Sequence, residues 1–131
     1  MKKQIGIFIV FLVITVLQFG IAQEGAATVE AIEICTNIVE RQPIDTDTVF
    51  ASTVERLYCF TKLTNAAAPT TVSHVWYYND KEMAKVELAV KGETWRTWSS
   101  KRIVVGWSGK WRVDVVAADG TVLKSKAFTL Q

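Results

Sequence analysis

Six side chains in the second half of the sequence have the types and spacing of a ligand-binding face. They are His74, Trp76, Tyr78, Arg96, Trp98 and Lys101. The first three alternate along the chain, so a β-strand would present them on one side. The other three follow within one short segment, which we expect to lie nearby. Aromatic rings offer area for stacking and arginine donates paired hydrogen bonds, so the set predicts a face for an anionic or sugar-bearing ligand. The alternative is that these residues pack the sheet against its loops.

His74, the single histidine, is the residue that most directly suggests chemistry. It has the properties of a general base, a metal ligand or a pH switch. However, no serine or cysteine lies in a recognisable nucleophile motif, and a metal site needs partner ligands at suitable spacing. We therefore expect a structural histidine, no metal and no cofactor, with a small hydrolase using His74 as a minor alternative.

Seven short segments alternate between apolar and polar residues and are separated by turn signals. They cover residues 29–39, 52–63, 73–78, 82–90, 94–104, 110–116 and 122–130. Their regular spacing predicts an all-β fold, either a small barrel or an antiparallel sandwich, and we expect one immunoglobulin-like β-sandwich. Pro43 and the acidic residues 45–47 predict a loop, and Asn79-Asp80 predicts a hairpin turn. Trp111 is expected in the core, and Trp107 in a turn without burial by strand packing.

The first residues have the layout of a secretory signal peptide. Lys2 and Lys3 precede an apolar run, and Gly20 and Ala22 stand where a signal peptidase requires small residues. We predict that residues 1–22 are removed and that residues 23–131 form one domain with its core at about 29–130. The apolar run is shorter than the ~20 residues of a spanning helix. An uncleaved anchor, and with it membrane contact, is the alternative.

Cys35 and Cys59 are a candidate disulfide, because a cysteine pair outside the cytosol usually becomes oxidised. The apolar neighbours Ile34 and Phe60 have the opposite parity to the two cysteines. If those neighbours point inwards, both sulfurs lie on the same outer face of adjacent strands. Two free thiols are the alternative.

Charge argues against nucleic acid as a partner. Without Lys2 and Lys3, thirteen basic residues face thirteen acidic ones, so the remaining chain is formally neutral. Residues 24–55 hold seven acids and one base, whereas residues 56–131 hold twelve bases and six acids. This asymmetry favours attraction between neighbouring strands, with a basic patch for an anionic partner as the second interpretation.

An ordered series of motifs resembles a known family. The pieces lie at residues 56–61, 74–78, 95–101, 109–115 and 120–123, with Phe128. Together they resemble the bacterial envelope-associated family called domain of unknown function 2914, over about residues 29–130. Asp80 departs from the glycine expected after the Tyr-Tyr turn. The resemblance implies a non-catalytic module of membrane or exported bacterial proteins.

These observations combine into one expectation of function. We expect an exported, periplasmic or secreted, non-enzymatic binding module of the bacterial cell envelope, whose partner is an envelope protein or glycan. The first alternative is a carbohydrate-binding domain proper, which requires a row of exposed tryptophans.

Overall fold

The computed structural model describes residues 27–131, which form nine β-strands. The strands are β1 (Thr28–Val39), β2 (Gln42–Thr46), β3 (Val49–Phe50), β4 (Arg56–Thr64), β5 (Thr70–Tyr78), β6 (Lys81–Val90), β7 (Trp95–Arg102), β8 (Gly109–Ala117) and β9 (Val122–Leu130). Within this range there is no helix that is long and apolar enough to cross a membrane. The predicted signal peptide, residues 1–22, lies outside the described residues.

The strands form two sheets packed face to face, so the predicted all-β sandwich is confirmed at this level. Sheet A has the strand order β2-β1-β4-β7, and sheet B the order β3-β9-β8-β5-β6. Pairing is antiparallel except between the short strand β3 and β9, which run parallel. The inner face of each sheet faces the other sheet, and the outer face lies on the opposite side.

All seven predicted strands are present, but the structure has two more. β2 and β3 lie where Pro43 and the acidic cluster predicted a loop. β2 pairs only with β1 at the edge of sheet A, where a proline is tolerated because one side of the strand needs no donor. The turn between β1 and β2 has Glu40 and Arg41 in the left-handed region, with φ of 51° and 62°. These are the backbone angles of a two-residue hairpin turn, but Glu40-Arg41 is not the Asn-Gly pair that usually predicts one.

The core is built from aliphatic and aromatic side chains of both inner faces. Its largest members are Trp76 on β5 and Trp111 on β8, and both are buried, as predicted for Trp111. Phe128 on β9 joins them, with ring centroids 6.2 Å from Trp76 and 5.9 Å from Trp111. Aromatic side chains bury more apolar area than other residues, so these three dominate the packing between the sheets.

The predicted turn between β5 and β6 is confirmed at Asn79-Asp80. Both residues have positive φ, 48° and 64°, as a tight hairpin turn requires. Asp80 occupies the place of the expected glycine, and its carboxylate accepts a 2.9 Å hydrogen bond from Arg112. The turn type is therefore retained, and the aspartate adds an ion pair that glycine would lack.

Candidate ligand-binding site

A buried polar cluster joins the two sheets around His74. His74 Nδ1 lies 2.7 Å from Ser99 Oγ, and Nε2 lies 3.3 Å from Thr61 Oγ1. Ser99 Oγ also accepts a 3.1 Å hydrogen bond from Trp76 Nε1. His74, Trp76 and Thr61 have no exposed surface, and Ser99 has almost none. The cluster therefore connects β5 of sheet B to β4 and β7 of sheet A beneath the surface.

The hydrogen bonds determine the state of the histidine. Thr61 Oγ1 donates to the carbonyl of Thr97, so it accepts from His74 Nε2, and His74 Nδ1 accepts from Ser99. This pattern uses the neutral ring, and burial lowers the pKa of His74 to about 4. Among residues 27–131 no buried side-chain nitrogen or oxygen lacks a hydrogen-bond partner. The sequence expectation of a structural histidine agrees with this geometry.

The structure does not bring the six predicted binding residues onto one face, so that prediction is wrong. His74, Trp76 and Tyr78 do share one side of β5, but it is the inner side. β5 lies between β8 and β6 in sheet B, and its alternation points these residues at sheet A. Arg96 and Trp98 instead lie on the outer face of β7.

Tyr78 and Lys101 lie at one end of the sandwich around Trp107. Tyr78 stacks on Trp111 at 4.9 Å and donates a 2.8 Å hydrogen bond to the carbonyl of Ser108. Lys101 Nζ is 4.9 Å from the Trp107 ring centroid. Trp107 is half-buried and its carbonyl accepts a hydrogen bond from Trp111 Nε1, so it packs against the core more than a turn residue was expected to.

The β1–β2 hairpin folds back over sheet A. β1 pairs with β4 only as far as Cys35, opposite Tyr58, and its last residues pair with β2 alone. If β1 continued straight along β4, Arg41 would lie roughly 30 Å from Trp95, the first residue of β7. Instead, the Arg41 guanidinium lies 5.5 Å from the Trp95 ring centroid and donates a 3.4 Å hydrogen bond to the carbonyl of Arg96. We call residues 36–46 the hairpin arm.

The hairpin arm crosses the outer face of sheet A, because the inner face is occupied by sheet B. Phe60 on β4 points outwards beside Trp98 on β7, yet only 3% of Phe60 is exposed. Cys35, also on this outer face, is completely buried. The burial of these two residues agrees with a covered outer face, and Trp98 is half-buried at its margin.

A groove where the arm meets β7 combines cationic and aromatic side chains. It has a volume of about 280 Å³ and is lined by Arg41, Ala89, Lys91, Trp95, Arg96, Thr97 and Trp98. None of its lining residues is acidic. Arg41, Lys91 and Arg96 take part in none of the ion pairs found within residues 27–131. Arg96 also lies directly across from Lys62 on β4, so two positive charges are neighbours.

The groove keeps two of the predicted residues, Arg96 and Trp98, and adds three that sequence reasoning missed. Lys91 and Trp95 are close in sequence to the predicted segment, and their proximity was the available signal. Arg41 had no such signal, because it lies in the first half of the chain and reaches β7 only through the fold of the hairpin arm.

The predicted disulfide is wrong, because both cysteines are free thiols on opposite faces of sheet A. Cys35 is the cross-strand partner of Tyr58, and Cys59 is the partner of Ile34. Residues directly opposite share a face, so Cys59 points inwards and Cys35 outwards. The error arose on β4, where Phe60 points outwards although it is apolar. Burial raises the pKa of both thiols, which therefore remain protonated.

A second polar cluster lies on the outer face of sheet B. Arg112 donates to Asp114 and Asp80, each at 2.9 Å, and its guanidinium carbon is 4.3 Å from the Tyr77 ring centroid. Asp114 also accepts a 2.6 Å hydrogen bond from Ser125. These charges satisfy one another, in contrast to those of the groove. Among the described residues no three His, Cys, Asp or Glu side chains group as a metal site would require.

Comparison with known proteins gives little beyond the family. No curated protein matches this sequence. A solved structure described as "The crystal structure of endonuclease/exonuclease/phosphatase from Beutenbergia cavernae DSM 12333" is similar at 19% identity and a TM-score of 0.39. The match covers 80% of this chain and 35% of that one, so this chain spans about a third of its length. At this TM-score the likeness supports no inference about function.

The family match agrees with the resemblance read from the sequence. The family described as "Protein of unknown function (DUF2914)" matches residues 69–130, which contain β5 to β9. Four of the five motif pieces and Phe128 lie within this range. The piece at residues 56–61 and strands β1 to β4 lie outside it. Residues 69–130 are therefore similar to the DUF2914 family over slightly less than half of the chain.

Proposed function

We propose that this chain is an exported, non-enzymatic binding module of the bacterial cell envelope whose groove takes an anionic glycan. The observation that carries the proposal is the combination of three cations and two indoles in one groove without a lining acid. Cations that lack acidic partners are suited to an anionic ligand, because no carboxylate of the protein compensates their charge.

The two tryptophans favour a sugar over a simple anion. An indole face offers apolar area for the C–H face of a pyranose ring, while arginine binds a carboxylate or phosphate through two hydrogen bonds. Trp95 is held by the Arg41 guanidinium above it, so its ring is positioned before ligand arrives. Trp98 lies two strand positions past Arg96 and is half-buried. An envelope protein with an acidic surface segment is the alternative ligand.

The exported part of the proposal rests on the sequence of residues 1–22. A basic start, an apolar run and small residues before Gln23 together suit a cleaved secretory signal. The proposed location is therefore the periplasm or the exterior. Two buried free thiols are compatible with an oxidising compartment, because neither can reach the other.

An immunoglobulin-like relationship is part of the proposal and rests on strand order. β1-β4-β7 in sheet A and β9-β8-β5-β6 in sheet B follow the A-B-E and G-F-C-C′ orders of that fold. Trp76 on β5 occupies the position of the buried tryptophan on strand C. Cys59, on the strand equivalent to B, lies in the same core without a cysteine on β8.

The non-enzymatic part rests on the burial of His74. Ser99 and His74 are 2.7 Å apart, a distance that a nucleophile and base would need. A substrate would have to enter the space between the sheets to reach them, because neither is accessible. The hydrolase alternative would therefore require the sandwich to open during each turnover.

Affinity electrophoresis in gels containing polygalacturonate, with dextran gels as the neutral reference, tests the proposal. We expect polygalacturonate alone to retard the chain, and the double variant Arg41→Ala, Arg96→Ala to lose the retardation. The control variant Lys85→Ala, Lys124→Ala removes the same charge from exposed positions on sheet B and should be retarded like the parent. Equal loss in both double variants would reduce the effect to net charge and contradict a site in the groove.

Trp98→Ala separates sugar stacking from anion binding. The variant should lose retardation in polygalacturonate but keep whatever weak affinity the parent shows for inorganic phosphate. Full retention of glycan binding by Trp98→Ala would contradict stacking of a sugar on Trp98 and would favour an acidic protein segment as the ligand.

A further inference from the structure

The loop between β7 and β8 presents an apolar tip to solvent. Val105 is 90% exposed and the preceding Val104 is 47% exposed. They are the only exposed large hydrophobic residues within residues 27–131 that are neighbours in sequence. Ile103 before them is buried and donates its backbone N–H to the carbonyl of Glu55, so the base of the loop is attached to the sandwich. The tip is therefore held outwards by a fixed base.

Positive charge surrounds the base of this tip. Arg56 on β4 and Arg102 on β7 are direct cross-strand partners, and both are exposed. Like charges directly opposite one another destabilise a sheet unless an anion lies between them. The two arginines line a groove of about 550 Å³ with Ile103, Val104 and Val105, in which Glu55 is the one acidic lining residue. Lys101, over the Trp107 ring, adds a third cation at the same end.

We infer that this end of the sandwich docks on an anionic lipid surface, with Val104 and Val105 inserted among the acyl chains. The argument is charge complementarity. An apolar tip with arginines behind it matches a bilayer interface, where valine side chains leave water and the guanidiniums meet lipid phosphates. A protein partner or a second copy of this chain would also bury the valines, but it would need acidic groups opposite two arginines.

The docking end is separate from the groove proposed for glycan. In the register of sheet A, Arg102 lies opposite Arg56, whereas Trp95 lies seven residues further along β4, opposite Leu63. The two sites are therefore roughly 20 Å apart along the strands. Docking would leave the glycan groove facing away from the lipid. Membrane contact through this loop also does not depend on an uncleaved N-terminal segment.

Flotation of residues 23–131 with vesicles tests the inference. Vesicles of phosphatidylglycerol and phosphatidylcholine should carry the chain, and vesicles of phosphatidylcholine alone should not. The variant Val104→Ser, Val105→Ser should lower the partition coefficient about tenfold or more, because two valine side chains no longer leave water. Arg56→Gln with Arg102→Gln should lower it by about fivefold for each charge.

Val39→Ser with Val122→Ser is the matched control, because these valines are 48% and 54% exposed and lie away from the β7–β8 loop, on the hairpin arm and at the far end of sheet B. This control should float like the parent. The tryptophan emission of the chain should shift to shorter wavelength on vesicle addition, because one of its five tryptophans, Trp107, lies two residues from Val105. Arg41→Ala with Arg96→Ala should float normally, so failure of the glycan site and failure of lipid docking are distinguishable.

Several outcomes would overturn the inference. One is failure to float with anionic vesicles, and another is equal loss in the loop variant and its matched control. A third is a dimer, detected by sedimentation without lipid, that the loop variant abolishes, since this would assign the valines to a second copy of the chain.

Discussion

The buried cluster around His74 and the groove around Arg96 use similar residue types for opposite purposes. Each combines tryptophan with polar nitrogen donors at strand positions two apart. In the interior, every donor has a partner, as Ser99 shows by bonding both His74 and Trp76. In the groove, three cations lie together with no acid lining it. A satisfied cluster stabilises a fold, whereas an unsatisfied charged one is suited to a ligand.

The comparison also shows why residue type alone does not identify a binding site. Histidine and tryptophan at alternating positions predict a binding face from sequence, but β5 is an interior strand and presents that face to the core. The residues that remain accessible belong to β7, an edge strand, and to the hairpin arm. The position of a strand in its sheet therefore determines whether its side chains are accessible to a ligand, and residue type alone does not.

The largest difference between the two regions should appear when a tryptophan is removed from each. Trp76→Ala should destabilise the fold by about 3–5 kcal/mol, because it leaves a cavity between the sheets. Trp98→Ala should cost less than about 1.5 kcal/mol, because a half-buried ring on the outer face loses fewer contacts than one between the sheets. Urea denaturation of both variants measures the difference. Similar losses would mean that the groove is structural.

Acid should weaken the interior cluster through His74. The folded-state pKa of about 4 lies below the ordinary value of 6.5. As pH falls below about 6.5, the unfolded chain takes up a proton that the folded chain excludes until about pH 4. The contribution of neutral His74 is therefore present above about pH 6.5, and about 3 kcal/mol is lost by pH 4. Urea melts across this range measure the loss.

Carboxylates titrate in the same range, so a variant must isolate the histidine. In His74→Gln the drop in unfolding free energy between about pH 6.5 and pH 4 should be smaller by most of that amount. An unchanged pH dependence in this variant would contradict the assignment. Variants in the groove should keep the dependence of the parent.

Two adjacent serines compare the faces of β7 directly. Ser99→Ala should cost about 1–3 kcal/mol, because His74 Nδ1 and Trp76 Nε1 both lose a buried partner. Ser100 points outwards and accepts a 2.7 Å hydrogen bond from Arg56 in an exposed position. Ser100→Ala should therefore change stability by no more than about 0.5 kcal/mol. Reversal of this order, measured by thermal and urea unfolding, would overturn the assignment of faces.

The smallest effect on stability should follow removal of a groove cation. Arg41→Ala loses an exposed cation–π contact and one long hydrogen bond, together about 0.5–1 kcal/mol. Retardation by polygalacturonate should nevertheless decrease strongly. A loss of several kcal/mol would show instead that Arg41 holds the hairpin arm in place, and glycan binding would then need to be measured with Arg96→Ala alone.

Much of the fold was predictable because local alternation and turn chemistry agree. The Asn79-Asp80 and Asp119-Gly120 turns separate segments whose period of two is clear, and those strands are present. β3 was missed because its identity depends on pairing with the distant strand β9, and β2 was missed because its hairpin with β1 turns at Glu40-Arg41, which carries no glycine or asparagine signal. Pro43 predicts a loop locally, and an edge strand accommodates it only because the partner on its other side is absent.

The site was predictable only in part. Arg96 and Trp98 were identified because they are close in sequence and polar in context. The orientation of β4 was not, since Leu57 and Phe60 are both apolar and have opposite parity. Phe60 can point outwards because the hairpin arm covers it, and no local sequence pattern predicts that contact. Arg41 enters the site through the same long-range contact.

The placement of the cysteines gives the molecule two independent reporters of motion. Cys59 is reached only when the sheets separate, whereas Cys35 lies on the outer face at the point where the hairpin arm leaves β4. A buried thiol reacts in proportion to the time its surroundings spend open. Alkylation of Cys35 should therefore follow lifting of the arm, and alkylation of Cys59 should follow global unfolding. Mass spectrometry of the two sites would time these events separately, without any introduced label.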